Sequence, residues 1–280
     1  MPTQVNSDII GVHEKLLLYG LGGSGKTFTA GTMPGNVYFI VFGGPNEVKT
    51  LMSNDFRKKH PEKKDKIWFD YAVEEIGARG HFKSATAYDM ACDLLDDALE
   101  SERKGDFQFD SVVIDSATGL RRFGMNKAIE VNFHRATGGT KTSLQRLRDE
   151  NIIIPGDNDW MSEMSLTTQF MDWVFRLPKH ICVCTHEWQV KSRNRTTGDT
   201  TITSRLPLFT GKNREEIPAM FDNVWHIKPR NTGRGIVAEA VTVADEFTFA
   251  KTRMGGILAP LERDPDLTKL IAKMRKGAEE

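Results

Sequence analysis

Several features that would restrict the chain to a special class of protein are missing from its sequence. Three cysteines among 280 residues are too few, and odd in number, for a disulfide framework. No run of about 18 apolar residues predicts a membrane span, and residues 1–10 lack the basic start and apolar stretch of a signal peptide. We therefore expect a soluble protein of a reducing cytoplasm that has no membrane partner.

The chain also lacks an excess of charge of either sign. Lys plus Arg number 38 and Asp plus Glu number 38, so the formal net charge is zero. This balance excludes a uniformly basic protein but leaves room for local basic patches. Since we find no internal repeat, low-complexity segment or linker, we predict one domain over residues 1–280, with a core at about 12–230 and C-terminal strands and a helix at 231–280.

Short apolar runs alternate with helical patterns through the first two thirds of the chain. Predicted strands lie at 15–19, 36–42, 67–71, 111–115 and 179–185. One predicted helix begins at residue 26, and two others span 86–104 and 159–177. Later segments at 187–190 and 200–203 flank a hairpin-like loop, 221–227 and 238–243 are predicted strands, and 266–276 is a predicted helix. The pattern predicts an α/β fold whose sheet is mostly parallel, with helices on both faces and a β-rich C-terminal part.

A phosphate-binding loop follows the first predicted strand. Residues 20–27 read GLGGSGKT, which matches GxxxxGK[ST] at every fixed position. The glycines allow backbone N–H groups to surround phosphate oxygens, and the helix that follows directs its positive end at the same anion. Lys26 is expected to reach the β- and γ-phosphates, and the Thr27 hydroxyl to bind Mg²⁺. The candidate nucleotide-binding residues are Gly20, Gly22, Gly23, Ser24, Gly25, Lys26, Thr27 and Phe28.

Asp115 ends the apolar run 111–115 and is the second candidate ligand of Mg²⁺. Apolar runs of this kind belong to strands that are covered on both faces. A strand-end Asp also caps turns, but the phosphate-binding loop favours the metal-binding interpretation. Cys182 and Cys184 lie in another apolar run, and we interpret them as buried strand residues because no CxxC partner for a metal site occurs elsewhere.

An ordered set of short motifs resembles one group of RecA-like ATPases, the phage nucleotide-binding proteins of the Sak-four type. The motifs are residues 19–27, 110–116 (DSVVIDS), 185–187 (THE), 209–212 (FTGK), 217–222 (IPAMFD) and 250–253 (AKTR), and the similarity covers about 12–265. The resemblance implies a shortened RecA core that hydrolyses ATP with Mg²⁺, binds single-stranded DNA and anneals strands in phage recombination. It also implies help from a single-strand-binding protein and a location in the host cytoplasm.

Hydrolysis requires a group that orients the attacking water. RecA-like proteins usually carry a Glu just after the second strand, where this chain has Gly43; the nearest carboxylate is Glu47, with Glu74 and Glu75 as weaker alternatives. Glu47 is therefore the candidate catalytic carboxylate, or else an ordinary loop residue.

Three further residues are catalytic candidates. His186 ends a predicted strand, which the resemblance to RecA-like proteins implies is next to the strands of the phosphate-binding loop and Asp115. It is either a γ-phosphate sensor or a strand-end His that hydrogen-bonds to backbone groups. Lys251 and Arg253 resemble cations that reach a neighbouring subunit's γ-phosphate, which would require an oligomer, either a ring or a filament. The alternative is a solvated basic strand end.

Two basic segments are candidate DNA contacts. The predicted contacts are Arg121, Arg122, Arg135, Lys141, Lys191, Arg193 and Arg195. Cations neutralise phosphates, and Trp188 or Phe133 is a candidate for stacking on bases. The alternative is that both segments are solvated loops, which is how we interpret the basic cluster at 57–66.

Other functions remain compatible with the sequence. A P-loop switch or a small-molecule kinase would bind NTP without nucleic acid. An ATP-gated annealing protein with negligible hydrolysis would explain the absence of a Glu at position 43 or 44.

Overall fold

The computed structural model describes residues 13–77, 82–135, 154–193, 198–233, 236–253 and 255–279. Its strands are β1 (Lys15–Gly20), β2 (Val37–Phe42), β3 (Ile67–Ala72), β4 (Glu75–Ile76), β5 (Phe82–Ser84), β6 (Ser111–Asp115), β7 (His180–Arg193), β8 (Thr200–Pro207), β9 (Asn223–Asn231), β10 (Ile236–Val241), β11 (Lys251–Thr252) and β12 (Leu261–Arg263). Its α-helices are α1 (Lys26–Ala30), α2 (Asn54–Lys59), α3 (Thr86–Lys104), α4 (Ala117–Arg135), α5 (Asp157–Val174), α6 (Asn213–Met220) and α7 (Leu267–Glu279). Short 3₁₀ segments lie at Pro45–Met52 and Pro61–Lys63.

Within the described ranges, ten strands form one sheet in the order β12-β10-β9-β1-β7-β6-β2-β3, with β8 paired to β7 and β11 paired to β9. The strands from β9 to β3 in this order are parallel, whereas β8, β10, β11 and β12 pair antiparallel. Because β7 lies between β1 and β6, its midpoint stands beside both the phosphate-binding loop and Asp115. The predicted α/β, RecA-like fold with a β-rich C-terminal part is confirmed.

The central strands are apolar throughout because both of their faces are covered. On β1, Leu17 and Tyr19 face a core shared with α3, α4 and α5, while Leu16 and Leu18 face a core shared with α1, α2 and α7. All four side chains are fully buried. This two-sided burial is the reason that the sequence shows continuous apolar runs rather than alternation.

Helix α7 joins the C-terminal part to the face that carries α1. The amide of Leu267 donates to the Thr32 hydroxyl at 2.8 Å, and the Thr268 hydroxyl donates to the Thr32 carbonyl at 2.7 Å. Leu270, Ile271 and Met274 recur at helical spacing and pack into the same core. The end of the chain is thereby fixed close to the helix that follows the phosphate-binding loop.

Two sequence-based predictions require correction, and one helix was missed. Strand β7 is continuous from His180 to Arg193, so segments 179–185 and 187–190 are one element, which leads directly into the hairpin with β8. Helix α4 was not predicted. The solvated interpretation of 57–66 is wrong at Lys63, whose buried ammonium donates to the carbonyls of Met33 and Gly35.

Candidate nucleotide-binding site

The loop after β1 has the backbone shape that its glycines permit. Gly25 has a φ of +98° and directly precedes α1, and a Cβ there would lie 2.9 Å from the Cβ of Ala238 on β10. A Cβ on Gly20 would lie 2.1 Å from the carbonyl oxygen of Ile227 on β9. Since a larger residue at either position would collide with a neighbouring strand, glycine here serves close packing as well as the turn.

Lys26 is the first residue of α1 and its side chain turns back over the loop. Its Nζ donates to the carbonyl oxygens of Gly20 at 3.0 Å and Leu21 at 2.8 Å. Burial lowers the pKa of Lys26, and the nearby Asp115 and Glu187 act in the opposite direction. The ammonium is therefore held inside the loop, where a phosphate oxygen would gain a close positive charge.

Thr27 and Asp115 meet across the ends of α1 and β6. The Thr27 hydroxyl donates to Asp115 Oδ2 at 2.7 Å. Adjacent oxygen ligands of octahedral Mg²⁺ lie about 3.0 Å apart, given metal–oxygen bonds of about 2.1 Å, so this pair is close to the spacing of two neighbouring coordination positions. Burial raises the pKa of Asp115 to about 6, against the lowering effects of Thr27 and Lys26. A buried carboxylate of this kind gains from a neighbouring cation.

Glu47 lies close to this pair, although it follows β2 by five positions in the sequence. A Cβ on Gly43 would be 2.9 Å from Glu47 Cγ, so the absence of a side chain at Gly43 leaves room for Glu47 to fold back over the end of β2. Burial is the main cause of the raised pKa of Asp115, and the negative charge of Glu47 adds to it. The same charge opposes the lowering of the pKa of His186. Glu47 is therefore close to both side chains. The carboxylate thus stands at the end of the second strand, in the region where RecA-like proteins carry theirs.

His186 lies at the point where β7 passes the phosphate-binding loop. Its backbone N–H donates to Thr118 Oγ1 at 3.0 Å, and its Nδ1 lies 3.0 Å from the same oxygen. Its Nε2 would be 3.9 Å from a Cβ on Gly22. Burial, followed by the charge of Lys26, lowers the pKa of His186. A neutral imidazole is therefore held between the loop and α4.

An open cavity of about 420 Å³ lies beside these residues. Its lining includes Glu47, His186, Arg121, Arg122 and Trp160. Arg121 is half-buried, and its Nε donates to Thr210 Oγ1 at 2.7 Å. Arg122 is exposed, and its guanidinium stacks over the ring of Phe123 at 4.5 Å. Two predicted DNA contacts thus face the same space as two predicted catalytic residues.

A second cavity of about 300 Å³ lies against the loop at Gly25 and against Phe28. The Phe28 ring packs edge-on against Phe56 at 5.0 Å. Val237 and Ala238 of β10 form part of the opposite wall. Of these two cavities, the first is the one lined by the candidate catalytic residues Glu47 and His186.

Lys251 and Arg253 lie away from the chain's own phosphate-binding loop. Lys251 on β11 pairs with Val224 near the start of β9, and its Nζ donates to the carbonyls of Ala219 and Phe221. Arg253 Nη1 lies 3.0 Å from Asp222 Oδ1. The loop, by contrast, stands at the opposite ends of the parallel strands. A role for these cations at a phosphate would have to be in a neighbouring subunit.

The remaining predicted DNA contacts have different positions. Lys191 and Arg193 are exposed at the outer end of β7. Arg135 ends α4, and its side chain is outside the described residues, as are Lys141 and Arg195. Trp188 is 41% exposed and stacks with Arg214 at 4.7 Å. Phe133 is half-buried on α4.

The weaker candidates for the catalytic carboxylate have structural partners instead. Glu74 accepts from the amide of Thr86, at the start of α3, and from the side chain of Asn126, each at 3.1 Å. Glu75 is exposed and pairs with Lys83 at 2.6 Å. Neither takes part in the cavity that contains Glu47 and His186.

Sequence reasoning missed a buried pair beneath the loop. Glu187 Oε2 lies 2.7 Å from His226 Nε2, with the two side chains 2% and 8% exposed. The ring of His226 contacts that of Tyr19, the residue that precedes the loop. Glu187 follows His186 in the motif at 185–187, but its partner is 39 residues away, so no local pattern could have indicated the pair.

Among the residues that the structure describes, no helix has the length and apolar character needed to cross a membrane. Cys182 and Cys184 are buried in β7, as predicted, and Cys92 is half-buried; all three are free thiols.

Comparisons with known proteins assign the chain to a family. A search of curated protein sequences gives no significant match. Among solved structures, the KaiC-like protein PH0186 from Pyrococcus horikoshii OT3 is similar with a TM-score of 0.39 and 11% identity, over 81% of this chain and 77% of that one. The model of the family described as AAA domain matches residues 13–254. The chain therefore belongs to this AAA-domain family of P-loop ATPases.

Proposed function

We propose that this protein binds and hydrolyses ATP with Mg²⁺ and couples the nucleotide to single-stranded DNA, as a phage recombination protein of the Sak-four type that promotes annealing. One observation carries the coupling. Strand β7 runs without a break from the buried core, past the phosphate-binding loop at His186, to exposed cations at Lys191 and Arg193. A change at the loop has a direct covalent route to a basic surface.

The residues of the site have separate roles in this proposal. Lys26 stabilises charge on the γ-phosphate, and Thr27 and Asp115 hold Mg²⁺, which would neutralise the developing charge on the phosphates. Glu47 orients the attacking water by accepting its proton. His186 senses the γ-phosphate through its ring and passes the contact to Thr118 on α4 and along β7.

DNA binding rests on the charge of the outer hairpin and of α4. Between Lys191 and Arg205, the sequence contains four cations and a single acid, Asp199. Arg121 and Arg122 extend the positive surface into the cavity beside the loop. Such groups bind the phosphate backbone of single strands without reading sequence.

Oligomerisation is part of the proposal, because Lys251 and Arg253 are too far from their own loop to assist hydrolysis there. In a ring or filament they would act on the neighbour's nucleotide, as an arginine finger does. A single-strand-binding protein is the proposed partner in the host cytoplasm.

A second candidate function is a small-molecule phosphotransferase. The cavity of about 420 Å³ beside the loop favours it, because this space combines a carboxylate, two guanidinium groups and an exposed indole. An acceptor with anionic groups would fit there.

The rate of ATP hydrolysis with and without single-stranded DNA tests the proposal, with Lys26→Ala as the blank. We expect the rate of hydrolysis to rise with DNA in the wild type and not in the blank.

A double variant, Lys191→Gln with Arg193→Gln, should weaken DNA binding. It should also reduce the slope of log affinity against log salt by about 1.4, since each phosphate contact on a single strand contributes about 0.7. The matched control is Lys58→Gln with Lys64→Gln, two exposed cations outside the hairpin. No response to DNA at low salt would contradict the coupling and favour the phosphotransferase.

A further inference from the structure

A buried imidazole nitrogen faces two carboxylates where the start of α7 meets the segment after α2. His60 Nδ1 lies 3.4 Å from Glu62 Oε1 and 3.9 Å from Asp266 Oδ2. One ligand-type atom from each of the three residues lies within 4.8 Å of the others. The side chains of His60 and Asp266 are 10% and 11% exposed, whereas that of Glu62 is 56% exposed. The group is therefore enclosed on two sides and open to solvent through Glu62.

The His60 nitrogen has no hydrogen-bond partner within the described part of the chain, and it is buried. The ring is fixed by aromatic contacts with Phe28 at 5.7 Å and Phe56 at 5.2 Å, so it cannot turn freely toward water. A buried polar atom without a partner is costly, and ionised carboxylates offer only acceptors. An electron-pair acceptor between the three groups would satisfy all of them.

We propose that His60, Glu62 and Asp266 bind a divalent transition-metal ion of the Zn²⁺ class. Tetrahedral Zn²⁺ with bonds of about 2.0–2.1 Å separates its ligand atoms by roughly 3.3 Å, close to the 3.4 Å and 3.9 Å observed. One imidazole with two carboxylates is a donor set that suits Zn²⁺ and other divalent first-row transition metals, whereas Mg²⁺ selects oxygen ligands and water. The fourth position is left for water on the side of Glu62.

Asp266 has an oxygen available for this role. Its Oδ1 accepts from the backbone N–H of Lys269 at 3.2 Å and so caps α7, which leaves Oδ2 directed toward His60. The Lys269 ammonium lies 3.1 Å from Oδ2, but its side chain is 81% exposed and can move into solvent when a cation binds.

A second ammonium, that of Lys63, lies nearby and is held by the carbonyls of Met33 and Gly35. Its fixed positive charge opposes a cation, so the affinity is expected to be lower than that of a zinc-finger site.

The metal would connect the segment after α2 to α7. Phe56 of α2 and His60 both contact Phe28, the residue after Thr27. Binding therefore stabilises the packing behind the phosphate-binding loop without contributing to the Mg²⁺ pair of Thr27 and Asp115.

Calorimetric titration of the full chain with Zn²⁺, in excess Mg²⁺ and without nucleotide, tests the site. We expect one equivalent to bind, and affinity to fall at least about tenfold in Glu62→Gln, since even outer-shell changes cost that much. Glu62 is exposed, so this variant should fold. Glu100→Gln, which neutralises a similarly exposed acid in α3, should bind as wild type does.

Two further measurements support or overturn the assignment. Zn²⁺ should raise the melting temperature of the wild type and of Glu100→Gln, and raise it less in Glu62→Gln. The visible spectrum with Co²⁺ should show d–d bands without thiolate charge transfer. The absence of stoichiometric binding, equal affinity in Glu62→Gln, or a thiolate band that places the ion at a cysteine would each overturn the proposal.

Discussion

Replacing Glu47 by Gln separates catalysis from nucleotide binding at the phosphate site. Gln keeps the length of the side chain, and Gly43 still leaves room for it over the end of β2. The substitution removes only the charge and the ability to accept a proton. Because the proposed Mg²⁺ ligands Thr27 and Asp115 are unchanged, Mg²⁺ and nucleotide affinity should change much less than hydrolysis.

Hydrolysis should respond much more strongly. A positioned general base contributes about 10²–10⁴-fold, which corresponds to about 3–5 kcal/mol of barrier at about 1.4 kcal/mol per factor of ten. Single-turnover hydrolysis of ATP, together with equilibrium binding of ATP and Mg²⁺, measures both quantities. Glu75→Gln is the matched control, since Glu75 is an exposed acid outside the cavity. Wild-type hydrolysis in Glu47→Gln would remove Glu47 as the base and favour a nucleotide-gated protein with slow turnover.

Two further predictions concern the sensor and the acid stability of the fold. Thr118→Val removes the oxygen that accepts the hydrogen bond from the His186 N–H, at a cost of about 1 kcal/mol. This variant should show less DNA stimulation of hydrolysis while it still binds ATP, and Thr118→Ser should restore the stimulation. Full stimulation in Thr118→Val would refute the sensor role. Burial, followed by nearby cations, lowers the pKa of His180 from 6.5 to about 4. The unfolded state therefore binds this proton first, so stability is complete above about pH 6.5 and falls by up to about 3 kcal/mol as pH drops to about 4, at about 1.4 kcal/mol per pH unit. Urea unfolding at pH 7 and pH 4.5 should show that the free energy of unfolding falls less in His180→Gln than in the wild type. An equal fall in both proteins would assign the pH dependence to other groups.

The parts of the structure that follow from local sequence could be predicted. The strand before the loop, the glycine turn and Lys26 are consecutive, and the run that ends in Asp115 has the apolar character of a strand buried on both faces. The strand order then brings Thr27 and Asp115 together, because parallel strands present their carboxyl ends at the same edge of a sheet.

Other features depend on contacts that are distant in the sequence. Helix α4 was missed because Gly119, Gly124 and several polar residues interrupt its apolar periodicity, and its stability comes from packing against α5 and the sheet. The buried partners of Glu187 and Lys63 come from distant parts of the chain, and the charge of Lys63 led to the wrong prediction that it is solvated. Glu47 was placed by the fold of the 3₁₀ segment over Gly43, which no spacing rule describes.

The coupling between nucleotide and DNA is the central claim, and thermodynamic linkage tests it most directly. The affinity for a labelled single strand should be measured with and without a non-hydrolysable ATP analogue and Mg²⁺, and the affinity for the analogue with and without DNA. The account predicts that each ligand tightens the other by the same factor, about 5–150-fold. That factor should approach one in Lys26→Ala. Equal DNA affinity with and without nucleotide in the wild-type protein would contradict the account.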